Sequence, residues 1–289
     1  MAYAATAPAR HRVLRPVDVR RAAGRAGLFL AALAVLWGLW EAIKAAGGLD
    51  ERTLPHVHQV VGQLFEPSRR NGPLLLDVLV DAALVTAKEA AAGFALGAVV
   101  GFALGVVLAH SRLLQRGVLP YIVASQTVPI LVIAPVVVVG LSAQLPEGLR
   151  GWGAVAVIAA YLTFFPVAIN TLRGLTSVDP RGLELMRSYA ASRRAALWKL
   201  RLPTALPFLF AALKVSAPAS VVGAIIGELP GGIADGLGNA ILNFNQYYVT
   251  SPSSLWATNL VAAALGISFF LAILAAERVA VRRAPEHVA

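Results

Sequence analysis

The chain has 289 residues, of which 58% are hydrophobic and only 14% are charged. Soluble domains are about 45–50% apolar and about 25% charged, so this composition excludes a disordered chain and argues against an ordinary cytosolic enzyme. Cysteine is absent, which excludes disulfides, thiolate metal sites and thiol nucleophiles. The net charge of +10, in so apolar a chain, indicates contact with the anionic cytoplasmic face of a lipid membrane and not with nucleic acid.

Long apolar intervals between charged residues predict six membrane-spanning helices, since one span needs about 20 mostly apolar residues. The first interval runs into Glu41 and Lys44 without a small-residue cleavage pattern, so it is interpreted as a retained helix. The expected fold is therefore an all-α membrane protein. The predicted spans are 27–46, 82–109, 118–140, 151–171, 205–227 and 255–278.

Basic residues are unevenly divided between the loops. Eighteen of the 25 Lys and Arg residues fall in the N-terminal arm, in the loops after spans two and four, and in the tail. Because cytoplasmic loops carry the excess of Lys and Arg, both termini are expected in the cytoplasm. The expected organisation is a basic arm (1–26), a transmembrane domain (27–278) and a cytoplasmic tail (279–289).

The loop after span four is the most charged part of the chain and predicts an amphipathic helix. Asp179-Pro180 favours a helix start, because Asp caps free backbone N–H groups and Pro fits the first turn. Such a helix either lies in the lipid interface or docks into a groove of a cytosolic partner. The residues predicted to share its apolar face are Met186, Tyr189, Ala190, Leu197 and Leu200.

This loop resembles the cytoplasmic EAA loop of binding-protein-dependent ABC importer permeases. Glu184 occupies the Glu position of that motif, and Leu200 and Leu202-Pro203 occupy its end with the family's spacing. Ala190 stands where the family has a glycine that allows a sharp turn between two short helices. Leu185 and Met186 replace the two alanines.

Other motifs extend the resemblance over about 50–280, and they are similar to the nitrate, sulfonate, taurine and pyrimidine-precursor permeases. They lie at 53–55 (Thr-Leu-Pro), 125–129 (Ser-Gln-Thr-Val-Pro), 133–135 (Ile-Ala-Pro), 164–166 (Phe-Phe-Pro) and 236–238 (Gly-Leu-Gly). The resemblance implies a permease of the type I importer kind in a bacterial inner membrane. Its coupling-helix loop would lie between spans four and five.

The resemblance further implies a homodimer, two cytosolic ABC ATPase subunits, an extracytoplasmic solute-binding protein and surrounding membrane lipid as partners. ATP and Mg²⁺ would be held by the ATPase subunits, and no cofactor is expected in this chain. Segment 178–203 would couple to the ATPase. The coupling residues implied are Glu184, Met186, Arg187, Tyr189, Ala190, Ser192, Leu197, Leu200 and Pro203.

Enzyme motifs are missing from the sequence, so a non-catalytic transport subunit is expected. None of the four lysines follows a glycine, which excludes a Gly-x-x-x-x-Gly-Lys phosphate loop. His56 and His58 are two residues apart in a predicted outer loop, without nearby matching ligands. A surface pair is the favoured interpretation, and no metal site is predicted.

Polar residues inside apolar spans are candidates for the substrate path. Lys214 is expected to neutralise an anionic substrate or to pair with Glu228 or Glu89. The family resemblance implies that Glu228 is a gate or outer-vestibule residue, and a capping or interface role is the alternative. Lys88 and Glu89 are expected to form a local ion pair near a helix end, or to contact the dimer partner. The predicted path residues are Gln126, Thr127, Pro129, Tyr161, Lys214 and Glu228.

The polar side chains Gln126, Thr127 and Tyr161 either bind a polar solute or join helices. Pro129 and Pro135 are expected to kink span three. Lys214 favours an anionic substrate, whereas the aromatic and amide run at 243–248 favours a ring-bearing, hydrogen-bonding one. Two rival functions remain: a stand-alone secondary transporter, and a membrane scaffold or assembly protein.

Overall fold

The computed structural model describes residues 19–69, 72–230 and 235–281, where every regular element is a helix. The predicted all-α fold is thus confirmed, while residues 1–18 of the basic arm and 282–289 of the tail lie outside the described part. The helices are α1 (Val19–Gly47), α2 (Val57–Gln63), α3 (Leu75–His110), α4 (Arg112–Ser125), α5 (Ile130–Ser142), α6 (Trp152–Thr176), α7 (Pro180–Ser188), α8 (Arg193–Ala196), α9 (Leu202–Glu228), α10 (Leu237–Gln246) and α11 (Pro252–Val281).

Four helical runs in the described part are long and apolar enough to cross a membrane. They correspond to the second, fourth, fifth and sixth predicted spans. A long uncharged segment forms a helix in lipid because a helix pairs its own backbone N–H and C=O groups where no water is present. In the fifth, α8, a π-helical stretch (Leu197–Arg201) and α9 follow one another without a break. The first predicted span lies within α1, and the count of six spans stays a prediction.

The third predicted span, 118–140, is not one kinked helix. It is divided between α4 and α5, whose axes differ by 94°. The break falls at 126–129, with Pro129 immediately before α5, whereas Pro120 and Pro135 lie inside helices. The expected bend at Pro129 is therefore much sharper than a proline kink, and the pair forms a broken span or a re-entrant loop.

The described residues divide into two compact units, which meet in sequence between His58 and Gln59. In the first, the indole Nε1 of Trp40 on α1 donates to the carbonyl of Pro55 at 3.0 Å. This bond ties the returning segment 48–56 to the helix that precedes it.

The second unit is built around α3, α6 and α9, and α3 meets α6 along a row of glycines. Gly93, Gly97, Gly101 and Gly105 occur every fourth residue and so share one helix face. A methyl group at Gly97 would lie 2.6 Å from the carbonyl oxygen of Ala160, which no real side chain tolerates. The two backbones are therefore in direct contact, a packing mode typical of membrane helices.

The remaining helices of this unit pack around that centre. Small and β-branched residues of α5, α6 and α9, such as Val138, Val155 and Val221, form one buried cluster. A second cluster joins α2 and α3 to α10 and α11, and a third joins the ends of α3, α4 and α6. These contacts place α10 beside the end of α9, where polar groups are buried.

We expect Gly97→Ala to destabilise the protein, because the added methyl group overlaps the α6 backbone. Overpacking of this kind costs about 1–3 kcal/mol. The control is Gly140→Ala on α5, where the methyl group meets nothing within 4 Å. Gly140→Ala should be neutral or stabilising by up to about 1 kcal/mol, since Ala is the better helix former. Thermal unfolding in detergent measures both, and equal effects would contradict the close packing.

Candidate functional site

The predicted coupling segment consists of two short helices joined by a turn. The side chain of Asp179 accepts the N–H of Arg181 at 2.9 Å, which confirms the predicted helix start. The second helix is capped by Ser192, whose hydroxyl accepts the N–H of Ala195 at 3.2 Å. The expectation of one helix carrying a single apolar face was wrong, because the chain turns between Ser188 and Ser192.

Ala190 makes that turn in a left-handed backbone conformation, with φ of +49°. The N–H of Ala190 donates to the carbonyl of Arg187 at 2.9 Å, and that of Ala191 donates to the carbonyl of Met186 at 2.9 Å. These two bonds form a Schellman motif, which usually has glycine at the left-handed position. Alanine therefore adopts here a conformation that favours glycine, at a strain of about 1–2 kcal/mol.

None of the nine predicted coupling residues is buried within the chain. Leu185, Tyr189 and Trp198 are more exposed than large apolar side chains usually are, at 58%, 78% and 70%. The face of α7 that carries Gly182 lies against the π-helical stretch, since a methyl group at Gly182 would lie 3.4 Å from Leu200. Leu185 was named only as a departure from the family motif and Trp198 was not named, although each is a large apolar residue in a charged loop.

Four of the predicted path residues lie at the break between α4 and α5 or contact it. Gln126, Thr127 and Pro129 form the break itself, and Tyr161 on α6 donates its hydroxyl hydrogen to the carbonyl of Ser125. The hydroxyl of Thr127 donates to the carbonyl of Ala124 at 2.7 Å. The bond of Tyr161 joins α6 to the end of α4, whereas the bond of Thr127 stays within the turn that follows α4.

Lys214 has a different partner from those proposed on the sequence. Its ammonium group lies 2.8 Å and 3.0 Å from the two carboxylate oxygens of Glu277 on α11. The pairing with Glu228 or Glu89 expected from the sequence was wrong, because Glu277 lies 63 residues away at the end of the last span. The charge of Lys214 is thereby compensated within the chain.

Glu228 caps α10. Its carboxylate accepts the N–H of Gly238 at 2.5 Å and the hydroxyl hydrogen of Thr86 at 2.7 Å. The hydroxyl oxygen of Thr86 in turn accepts the N–H of Leu237 at 2.8 Å. The contacts of Glu228 are therefore those of a cap. They also explain the second glycine of the Gly-Leu-Gly sequence, because a methyl group at Gly238 would lie 2.7 Å from the Cβ of Glu228.

Lys88 and Glu89 do not form the expected ion pair and lie well inside α3. The ammonium of Lys88 lies 4.1 Å from the centre of the Trp152 ring, an arrangement typical of a cation–π contact. Glu89 is fully buried, and its carboxyl group lies beside that of Glu228 on α9. Neighbouring residues on a helix point about 100° apart, which explains why the two side chains separate.

Comparison with protein families gives one match over most of the chain. Residues 97–283 match the model described as binding-protein-dependent transport system inner membrane component.

Among curated relatives, the chain is 33% identical over 146 residues to the formylaminopyrimidine transport permease protein ThiX of Halalkalibacterium halodurans, covering 50% of this chain and 55% of that relative. It is 31% identical over 220 residues to the riboflavin transport system permease protein RibX of Chloroflexus aurantiacus, covering 76% of each. It is 26% identical over 218 residues to the putative aliphatic sulfonates transport permease protein SsuC of Bacillus subtilis, covering 75% and 74%. The match thus spans only about half the length of ThiX and about three quarters of the other two.

Among solved structures, the chain is similar to a chain in the crystal structure of an amino acid ABC transporter with histidines. The TM-score is 0.52, and the match covers 72% of this chain and 95% of that one. At 17% sequence identity this likeness concerns the fold alone.

We expect Ala190→Gly to relax the turn between α7 and α8. The gain is about 0.5–1 kcal/mol, because relief of left-handed strain is partly offset by the larger unfolded-state entropy of glycine. Hydrogen exchange at the Ala191 amide should slow by about two- to five-fold, measured by mass spectrometry. The matched control Ala196→Gly, at a helical position, should speed exchange in its own helix, and faster exchange at Ala191 in Ala190→Gly would contradict the assigned turn.

We expect Lys214→Met and Glu277→Leu each to destabilise the protein by about 1–3 kcal/mol, because each leaves a charge without its partner. The double variant should recover most of the loss, since it buries no unpaired charge. Thermal unfolding of the four proteins in one detergent gives the coupling energy. Additive losses in the double variant would show that the ion pair contributes nothing.

Proposed function

We propose that this chain, which belongs to the family of binding-protein-dependent transport system inner membrane components, works as a homodimer that encloses the path of a small solute through the membrane. The family match confirms the resemblance inferred from the sequence motifs, and the chain is a multi-pass permease component of an importer. Two cytosolic ATPase subunits and an extracytoplasmic binding protein are the proposed partners. The turn at Ala190, in the loop that resembles the family's coupling loop, is the observation that carries the proposal.

The ATPase is proposed to dock on α7 and the turn that follows it. Leu185, Tyr189 and Trp198 offer apolar surface, and Glu184 and Arg187 beside them offer charges for orientation. Apolar anchors surrounded by charges are the usual composition of a helix that enters a partner's groove. The other predicted coupling residues, from Ser192 to Pro203, support this surface by capping α8 and by connecting it to α9.

The proposed orientation places both termini and the coupling loop in the cytoplasm. It rests on the distribution of Lys and Arg, of which seven lie between 173 and 201. The segment 229–254 would then face outward, and it contains no basic residue.

The proposed substrate is a small hydrogen-bonding ring compound. Lys214 is paired with Glu277, so the main argument for an anion is removed. The side chain of Gln126 is half-buried at the α4–α5 break, where its amide nitrogen donates to the Ser125 hydroxyl at 3.3 Å and its amide oxygen can accept a hydrogen bond from a solute, and Tyr161 contacts the same place. The names of ThiX and RibX refer to a formylaminopyrimidine and to riboflavin, and both are heteroaromatic.

We expect Leu185→Asp to weaken ATPase docking, because it places a charge in the apolar docking surface. The matched control is Leu113→Asp at the start of α4, where the leucine is 82% exposed outside the coupling segment. Membranes containing the permease and its partner ATPase, supplied with the binding protein, give two measurements: co-purification and stimulated ATP hydrolysis. Leu185→Asp and Glu184→Arg should each lower both by at least about tenfold, a loss of about 1.4 kcal/mol in binding.

The same membranes distinguish the rival functions. Unchanged ATP hydrolysis in Leu185→Asp and Glu184→Arg would overturn the docking surface. Solute uptake driven by an ion gradient without ATP would support a secondary transporter, and absence of solute flux with all partners present would support a scaffold.

A further inference from the structure

Three side chains with metal-binding atoms meet in the first unit of the chain. Glu41 lies near the end of α1, and His56 and His58 follow the segment that returns along this helix. The Nδ1 atom of His56 is 2.5 Å from Oε2 of Glu41, and the two imidazole rings stack with centroids 5.2 Å apart. One nitrogen of each ring and one oxygen of Glu41 all lie within 4.8 Å of one another.

The backbone brings these groups together for a local reason. The bond from Trp40 to the carbonyl of Pro55 fixes the residue next to His56 against the residue next to Glu41. The sequence interpretation of His56 and His58 as a surface pair assumed that no matching ligand was near. That assumption was wrong, since the carboxylate lies 15 residues earlier and on a helix.

The second oxygen of Glu41 is held by other donors. The indole of Trp37 and the backbone N–H of Val57 each donate to Oε1 at 3.4 Å. Such bonds orient a ligating carboxylate and leave its other oxygen for a metal ion, in the manner of outer-shell contacts at known metal centres.

We propose that Glu41, His56 and His58 form a binding site for Zn²⁺ or a chemically similar divalent transition-metal ion. Two imidazoles and one carboxylate suit zinc, which accepts nitrogen and oxygen ligands, whereas Mg²⁺ and Ca²⁺ prefer oxygen alone. Three protein ligands leave a fourth tetrahedral position for water. His58 is exposed, so its ring has the room to turn from the stacked position toward the ion.

A bound ion would replace the Glu41–His56 contact by two bonds to a common centre. It would therefore clamp the returning segment to α1 more firmly than the hydrogen bond does. The site lies outside the family-matched region, 97–283, so the proposal stands or falls independently of transport.

The test uses the full-length protein in lipid nanodiscs, with a purification tag that contains no histidine. The chain has five histidines, so a background with His11→Ala, His110→Ala and His287→Ala keeps His56 and His58 as the only imidazoles. Titration with Zn²⁺ against a chromophoric chelator should give one ion per chain. X-ray absorption should then give two imidazole nitrogens and one or two further oxygens, at about 2.0–2.2 Å from the metal.

His58→Ala in this background should weaken Zn²⁺ binding by at least about tenfold, and Glu41→Gln should do the same. His58 is exposed, so its replacement leaves the fold intact, and circular dichroism checks this for each variant. Absence of saturable Zn²⁺ binding in the background protein would overturn the proposal. Unchanged affinity in both His58→Ala and Glu41→Gln would overturn it equally, since the ion would then bind elsewhere.

Discussion

The direct backbone contact between α3 and α6 is the constraint on which the rest of the second unit depends. Lipid tails are as apolar as the side chains, so burying an apolar side chain between helices gains little free energy in a membrane. Membrane helices therefore associate through close packing and hydrogen bonds. Four glycines at intervals of four residues remove the side chains that would separate the helices. Gly223 on α9 makes a similar close contact, because a methyl group there would lie 2.8 Å from the Cα of Ala159, and α9 therefore also packs directly on α6.

This packing explains how buried polar groups are tolerated near one end of the bundle. Thr86 lies two turns before the first glycine of the row, and its hydroxyl reaches both Glu228 and the first amide of α10. Each of these polar groups is hydrogen-bonded to another, as buried polar atoms must be in a medium without water. The cap on α10 thus depends on how closely α3 and α9 approach, since Thr86 accepts the N–H of Leu237 and Glu228 accepts that of Gly238.

Long apolar spans and helix starts were accessible from the sequence, whereas contacts between distant residues were not. Uncharged intervals located α3, α6, α9 and α11, and Asp179-Pro180 located α7, because these signals are local. The 94° break at 126–129 was indicated only as a proline kink, since proline fixes one φ angle and not the direction of the next helix. The partners of Lys214 and His56 depend on tertiary packing, which no local pattern contains.

The sequence contains a signal for the contact between α3 and α6 that the prediction of spans did not include. The glycines at 93, 97, 101 and 105 have the spacing of a helix-packing face, and their period alone would have predicted the contact with another small-residue helix. At Ala190 the sequence identified the position, because the family motif has a glycine there. Only the backbone angle shows that alanine adopts the left-handed conformation of the turn.

The continuity of the helix after that turn links the coupling segment to the far end of the bundle. Arg193–Glu228 is one uninterrupted helical run of 36 residues, about 54 Å long at 1.5 Å per residue. That length exceeds the hydrocarbon core of about 30 Å. The run begins just after the turn at Ala190 and ends at Glu228, whose side chain caps α10. This run therefore connects the proposed docking surface to the α10 cap by continuous helix. Its irregular positions are the π-helical stretch at Leu197–Arg201, Pro207 and Pro218, and the Lys214–Glu277 pair joins its middle part to α11.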